Sequence, residues 1–502
     1  MSKVRMSPQD SLWLTMDRPN NLMVVDGVVV LASEPSFDAV MDQFRDMVSR
    51  FPVMARRPVK RGRAWIWTKD HEFDIARHVA HIEFPAAVPM AALQDFVGEQ
   101  RSVPLDKDRP LWMAFLVGPV TMSDGRSGAA IVTRFHHAIA DGVRLTQILL
   151  SMCEAVDGTV VPLVARNGVQ GDSLSAIEAV TGTASGLTRL SIGAMQSTWS
   201  VAGDAVSSTR RIASPGDVMS TAGALPTAMM ARINAGLSLM RHPDHVLNAF
   251  EDAGGPAHRS LNDVGTVTKL VFGGSESTVW SGVPDLVKAV SWSPPIPLPD
   301  VKKAAKARGV TVNDILVAAV AGGLRRYLAD HQAPVGEVMW MVPVNLKPFE
   351  DGIPEDLGNH FALVMLGMQL DLESADDRLA EIHRRMQRIK NSDEAVITFG
   401  VQRSMSMSPT AMAEFVTNFF ANKAIGVLTN VPGPTGRMAL AGADVVQVMG
   451  FAPCSGNQPL TATIFTYDGY VTIGFAADAG LVPGLPGLVG HVVAEVGAFT
   501  TT

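Results

Sequence analysis

Apolar positions along the chain change period several times, and each change marks an element. Met23 to Leu31 is a mainly apolar run that predicts a strand, and Val40, Phe44 and Met47 then fall on one face of a helix expected from Ser36. The stretch Ile131-Val132-Thr133-Arg134-Phe135-His136-His137 reads as a second strand. With a period of two, Ile131, Thr133, Phe135 and His137 share one face if the strand continues, while Arg134 and His136 share the other. After Gly142 the pattern turns helical, with Leu145, Ile148, Leu149 and Met152 in a stripe read as core packing.

A second globular part is expected from near Trp292 to the end. It has helices around 314–329 and 375–390, the latter carrying Leu379, Ile382, Met386 and Ile389 on a face that should pack on a sheet, and a hairpin at Tyr467-Asp468-Gly469-Tyr470. Between the two parts lies a region rich in Ala, Gly, Ser, Thr and Met. Leu187, Leu190 and Ala194, and later Met230, Ile233, Leu237 and Met240, recur there at helical spacing, while Pro215, Pro226 and Pro243 interrupt it. The expected organisation is an N-terminal mixed α and β domain over 1–165, a broken helical connection over 166–290, and a C-terminal domain over 291–502. The connection has two open readings: helices packed across both domains, or amphipathic elements lying in a lipid interface.

Composition narrows the function classes. At 502 residues the chain exceeds the size of one core, and 42 basic against 49 acidic residues, without a long Lys/Arg block, argue against nucleic acid as a partner. The only cysteines, Cys153 and Cys454, fit a reducing cytosol, and Cys454 is read as a buried, inert thiol in preference to a nucleophile. No signal peptide and no run of about 18 apolar residues is evident, so the expected location is cytoplasmic with membrane contact peripheral.

The chemistry concentrates in His136-His137-Ala138-Ile139-Ala140-Asp141-Gly142. A neutral imidazole can take a proton from an alcohol near neutral pH once its neighbours fix its tautomer. Asp141 can supply order by an ion pair or by capping the following helix, and Gly142 is expected to allow a tight backbone. The bland alternative is a hydrogen-bonded core histidine. A metal site is disfavoured because adjacent strand histidines diverge and no Cys/His cluster or His-Glu-x-x-His helix completes it. Gly171-Asp172-Ser173-Leu174 follows a polar stretch in place of a strand and is read as a helix cap. No G-x-S-x-G elbow, Walker loop or G-x-G-x-x-G fingerprint is present, so a covalent acyl-enzyme has no support.

The pattern HHxxxDG resembles the signature of the CoA-dependent acyltransferase superfamily, and the version with Ala138 resembles the bacterial wax ester synthase/diacylglycerol acyltransferase family. Four further stretches agree in order: Met6-Ser7-Pro8-Gln9-Asp10; the PLW of Pro104 to Trp112; Val312-Asn313-Asp314-Ile315-Leu316 with Gly323 to Leu328; and Asn430-Val431-Pro432-Gly433-Pro434. Departures are Ala140 for the usual Val, Met113 after the PLW, and Asn345-Leu346-Lys347 for the usual Ser-Leu-Arg. The resemblance implies an α/β (α+β) fold of two chloramphenicol-acetyltransferase-like domains, with mixed sheets and flanking helices, joined by the long helical connection.

It further implies transfer of a long-chain acyl group from acyl-CoA to diacylglycerol or a fatty alcohol, with acyl-CoA as substrate and no cofactor. His137 would be the general base beside His136. Asp141 and Gly142 would serve the loop, and Asn313 would be either an oxyanion donor or the cap of a helix beginning at Asp314. Pro110, Leu111 and Trp112, with Asn430, Val431 and Pro432, would shape the channel or domain interface. A lipid droplet or membrane surface would be the peripheral partner. A condensation-type enzyme using a carrier-protein thioester and a lipid-body protein with lost activity remain the alternatives.

Overall fold

A computed structural model describes residues 4–62, 64–122, 124–156, 279–345, 361–390 and 423–501. Near the N-terminus, β1 (Val4–Arg5) leads into α1 (Pro8–Met16), which Ser7 opens by accepting the Asp10 N–H at 3.0 Å. The expected strand appears as β2 (Val24–Leu31), and the expected helix as α2 (Phe37–Arg50). Ser36 caps α2, and Val40, Phe44 and Met47 are buried. Next come β3 (Arg56–Arg61) and β4 (Ala64–Lys69), which with β1 form a small antiparallel sheet. They are followed by β5 (Val79–Pro89), α3 (Met90–Arg101), β6 (Trp112–Thr121), β7 (Ser127–His136), α4 (Gly142–Leu150) and β8 (Glu154–Ala155).

The second half begins with β9 (Lys288–Trp292) and β10 (Ile296–Pro297), then helices α5 (Leu298–Arg308) and α6 (Val312–Asp330). It continues through β11 (Glu337–Asn345), β12 (Phe361–Gln369), α7 (Ala375–Lys390), β13 (Gly426–Pro432), β14 (Met438–Leu440), β15 (Ala443–Phe451), β16 (Leu460–Tyr467), β17 (Tyr470–Asp478) and α8 (Leu485–Thr500). The helix expected to start at Asp314 starts two residues earlier, because Thr311 and Asp314 form a reciprocal capping box. In α7, Leu379 and Ile382 are buried and Met386 and Ile389 partly so, and the helix packs on both β12 and α6. The hairpin between β16 and β17 is as expected: Asp468 and Gly469 both take positive φ, 45° and 77°, as a two-residue turn matched to strand twist requires.

Two seven-stranded mixed sheets organise the described residues, in the orders β5-β6-β7-β2-β15-β14-β8 and β10-β17-β16-β13-β11-β12, with β9 also on β17. The first sheet takes two strands from the second half of the sequence: β15 pairs antiparallel with β2, from Asp26↔Phe451 to Leu31↔Val445. One core cluster surrounds this sheet and includes Met438, Val448 and Phe451 beside Val29, Ile131 and Leu149. A second surrounds the other sheet and α6, α7 and α8. Gly323 is required in α6, since a Cβ there would lie 2.2 Å from Val492 Cγ2 and 2.9 Å from the Val492 amide nitrogen of α8.

The connection expected over 166–290, with its Leu187 and Met230 stripes, lies outside the described residues as far as 278. The remainder, 279–290, holds turns and the start of β9 and no helix. Among the described residues no single helix is long and apolar enough to cross a membrane. Helices α5 and α6, bent by 98° at their junction, are together long and apolar enough for a span, but much of α6 is core.

Candidate active site

Strand β7 is buried from Gly128 to its end and delivers the histidines between two neighbours. The His136 N–H donates to the Leu111 carbonyl at 3.0 Å, on the side of β6, and the His137 N–H donates to the Met23 carbonyl at 2.8 Å, on the side of β2. The strand itself stops at His136, and His137 to Ile139 form a turn closed by Ile139 N–H to the His136 carbonyl at 2.9 Å. Period-two alternation therefore does not extend to His137 as expected. The chain turns between the two histidines.

His136 is 1% exposed and its Nδ1 accepts the Ala138 N–H at 3.1 Å, which places the proton of the neutral ring on Nε2. That nitrogen lies 3.8 Å from Asp17 Oδ2, beyond hydrogen-bond length but within ion-pair range. Burial pushes the His136 pKa down, and the attraction of Asp17 only partly opposes it. For Asp17, burial would raise the pKa, but His136, the Lys107 Nζ at 2.8 Å from Oδ2 and the Met23 N–H at 2.9 Å from Oδ1 hold it at about 2. The site thus pairs a neutral imidazole with a carboxylate neutralised by lysine.

The His137 ring lies against Trp13, with centroids 3.9 Å apart and planes 23° from parallel. Trp13 belongs to α1 and Asp17 is its C-terminal cap, four residues later, so one helical face reaches both histidines. Trp13, Asp17 and Lys107 were not anticipated as site residues. The available signals were the four-residue spacing of Trp13 and Asp17 behind a capped helix start, and the place of Lys107 in the run from Pro104 to Trp112.

Asp141 is the N-cap of α4: its Oδ1 accepts the Arg144 N–H at 2.9 Å, one of the two ordering roles expected of it. Gly142 does not serve a tight backbone as expected. It is the first helical residue, its φ is not positive, and a Cβ there would meet nothing within 4 Å. Pro110, Leu111 and Trp112, expected to shape the channel or the domain interface, are placed in the core beside β7. All three are buried, and Trp112, 0% exposed, gives its Nε1–H to the Met54 carbonyl at 2.8 Å, accepts from His78 Nδ1 at 2.8 Å, and stacks near His78 and Phe44. They sit beside the histidine strand in the same sheet, with Trp112 opposite Phe135 and Leu111 accepting the His136 N–H.

A second constellation forms where α6 meets β13. Asn430 Nδ2 donates to Asn313 Oδ1 at 2.6 Å, joining two residues singled out from separate motifs. Asn313 is the second residue of α6 and not its cap, a role that Thr311 fills. With its carbonyl oxygen engaged, the Asn313 amide presents NH2 as donor. The neighbouring Asp314 is fully buried and accepts from the Thr311 N–H at 2.9 Å and from His383 Nδ1 at 2.8 Å. Asn430, Val431 and Pro432 end a strand parallel to β16, where a turn was expected. Gly433 follows in close contact, since a Cβ on it would lie 2.3 Å from the Thr466 carbonyl oxygen. Val431 packs on the core of the first sheet.

Residues 6–242 match the wax ester synthase/diacylglycerol acyltransferase catalytic domain, and residues 357–498 match the WS/DGAT C-terminal domain. The chain belongs to the WS/DGAT family. Among its relatives, a Mycobacterium tuberculosis protein with a provisional diacylglycerol O-acyltransferase name is 23% identical over 503 residues, covering 96% of this chain and 88% of that protein. The O-acyltransferase WSD of Acinetobacter baylyi is 22% identical over 510 residues, covering 98% and 96%. The solved WS/DGAT of Marinobacter aquaeolei VT8 superposes with a TM-score of 0.62 at 17% identity over 99% of both chains.

This WS/DGAT-family enzyme is an acyltransferase built on two chloramphenicol-acetyltransferase-like mixed sheets with flanking helices. Its thiols do not invite covalent catalysis: burial pushes Cys153 up to about 12 and Cys454 up to about 11, so both are protonated at neutral pH. Among the described residues no group of three or more His, Cys, Asp or Glu is placed to hold a metal. Gly171 to Leu174 lie outside the described residues.

Proposed function

We propose that the chain transfers a long-chain acyl group from acyl-CoA to the hydroxyl of a diacylglycerol or a fatty alcohol, forming triacylglycerol or wax ester. The observation that carries this reading is His137, fixed in a buried turn by Met23 and Trp13 and separated from a partner histidine engaged elsewhere. His137 removes the alcohol proton as the oxygen attacks the thioester carbon. The tetrahedral oxyanion then collapses, the C–S bond breaks, and the departing thiolate takes the proton back from His137, so atoms and charge balance without a cofactor.

Asn313 is the proposed oxyanion donor, supported by the way Asn430 occupies its carbonyl and leaves its NH2 to donate. Asp141 holds the turn and takes no proton. A lipid droplet or the cytoplasmic face of a membrane is the proposed source of the acceptor, reached through the 166–290 region.

The deciding assay is thiol release by purified protein from palmitoyl-CoA with hexadecanol or dioleoylglycerol as acceptor. General-base catalysis is worth about 100- to 10,000-fold, so folded His137→Ala should lose activity in that range and His136→Ala less. Equal, wild-type rates in both variants would remove the general-base assignment, and no acceptor-dependent release by the wild type would remove the substrate class.

A further inference from the structure

We propose that Asp17 is a positioning residue of the histidine pair, fixing the main chain that carries His137 with one oxygen and facing the His136 ring with the other. The role rests on the reading of His137 as the base, and deepens it. Asp17 Oδ1 accepts the Met23 N–H at 2.9 Å, and the carbonyl of the same Met23 accepts the His137 N–H at 2.8 Å. Two hydrogen bonds through a single residue therefore connect the carboxylate to the histidine backbone. Asp17 Oδ2 receives Lys107 Nζ at 2.8 Å and lies 3.8 Å from His136 Nε2.

The same helix acts on the His137 ring. Trp13, one turn before Asp17, lies 3.9 Å from it in stacked geometry, so α1 constrains the ring plane while its C-cap constrains the backbone. A carboxylate only 9% exposed needs charged and hydrogen-bonding partners to remain ionised, and Lys107 and the Met23 amide are those partners. Lys107 also offsets the negative charge beside His136, which favours a neutral ring there. A simple buried ion pair would need only Lys107; the Met23 connection gives Asp17 a route to the reacting nitrogen.

Acceptor and charge can be separated. Asp17→Asn keeps an oxygen for Met23 but gives up the charge and weakens the bond, whereas Asp17→Ala removes both. A displacement of about 1 Å costs on the order of 100-fold in turnover, so Asp17→Ala should lower kcat by about that factor with the palmitoyl-CoA KM within about twofold, and Asp17→Asn should fall between. Long-range 1H–15N spectra of 15N-histidine-labelled protein give a readout independent of turnover. The Nε2–H tautomer signal, assigned to His136 by its loss in His136→Gln, should shift in both variants.

Wild-type kcat in folded Asp17→Ala would overturn the proposal, as would an Asp17→Asn as impaired as Asp17→Ala. If Asp17→Ala does not fold, Asp17→Asn decides: unchanged kcat with unchanged histidine signals would equally overturn it. A His137→Ala variant at wild-type rate would instead overturn the base assignment, while the spectra still report whether Asp17 places the histidines.

Discussion

Asn430 holds Asn313 by its carbonyl oxygen, across 117 positions of sequence, and so orients the Asn313 amide with its NH2 left to donate. Removing an oxyanion donor costs about 100- to 1,000-fold in kcat, and Asn313→Ala is expected to fall in that range with a small change in KM. Asn430→Ala should cost less, since it only loosens the donor. Because both changes act on one bond, the double variant should be no slower than Asn313→Ala; full additivity of the two losses would show that they act separately.

Acid should destabilise the protein in two windows. A group whose folded-state pKa lies below its unfolded value binds fewer protons in the fold than out of it, so the stability it contributes is complete above the unfolded pKa and is lost as pH falls. For His136, lowered by burial against the attraction of Asp17 and beside the cation of Lys107, the loss starts below its ordinary 6.5. For Asp17, held at about 2 against an ordinary 3.8, it runs from about pH 4 down to about pH 2 and amounts to roughly 2 kcal/mol. Melting temperatures measured from pH 8 downward should therefore begin to drop near 6.5, and His136→Gln should flatten that first decline. A His136→Gln profile parallel to the wild type would refute the assignment.

Asp141→Ala removes the cap of α4 and should destabilise the fold by about 0.5–2 kcal/mol, with Asp141→Ser recovering most of the loss. Calorimetry at neutral pH checks this. If Ser recovers stability but not kcat, Asp141 has a role beyond the cap.

Trp112→Phe should reduce stability and leave the acyl-CoA KM unchanged. The ring is fully enclosed, and the change removes the Nε1–H bond to Met54 together with part of the stacking on His78 and Phe44. A raised KM without a fall in melting temperature would restore the channel-lining reading of the PLW motif.

Peripheral attachment through the 166–290 region should survive moderate salt and be reversible. Leu187→Glu and Met230→Glu should each weaken flotation with anionic vesicles. Unchanged binding in folded variants would place the contact elsewhere.

Much of the architecture was legible because it is written in local period. The stripe of α2, the β2 run, the α7 spacing and the Asp468-Gly469 turn each depend on neighbours within one element. The site was legible only in part. The motif located His136, His137 and Asp141, and separate motifs located Asn313 and Asn430, but the contact between the two asparagines is tertiary and leaves no local trace. Asp17 and Lys107 were hidden for the same reason, since a lone carboxylate and a lone lysine look like solvated surface until the fold buries one beside His136. Trp112 was read from its motif as shaping the channel or the domain interface, and its enclosure by His78, Phe44 and Met54 is a tertiary outcome with no local trace.

The pairing of β2 with β15 sets an order of events on the ribosome. Strand β2 directly follows the Met23 that anchors His137, yet one of its edges stays open until residues beyond 440 have been made. An unpaired edge on the four apolar strands β5, β6, β7 and β2 is prone to join other chains, so the nascent N-terminal half carries an aggregation hazard until β15 has been made. Closure of that edge is a long-range event of the slow kind. The catalytic strand therefore lies in a sheet that is completed only after residue 451 has been made, so each half of the described fold depends on the other: the first for two strands of its sheet, the second for the partners of those strands.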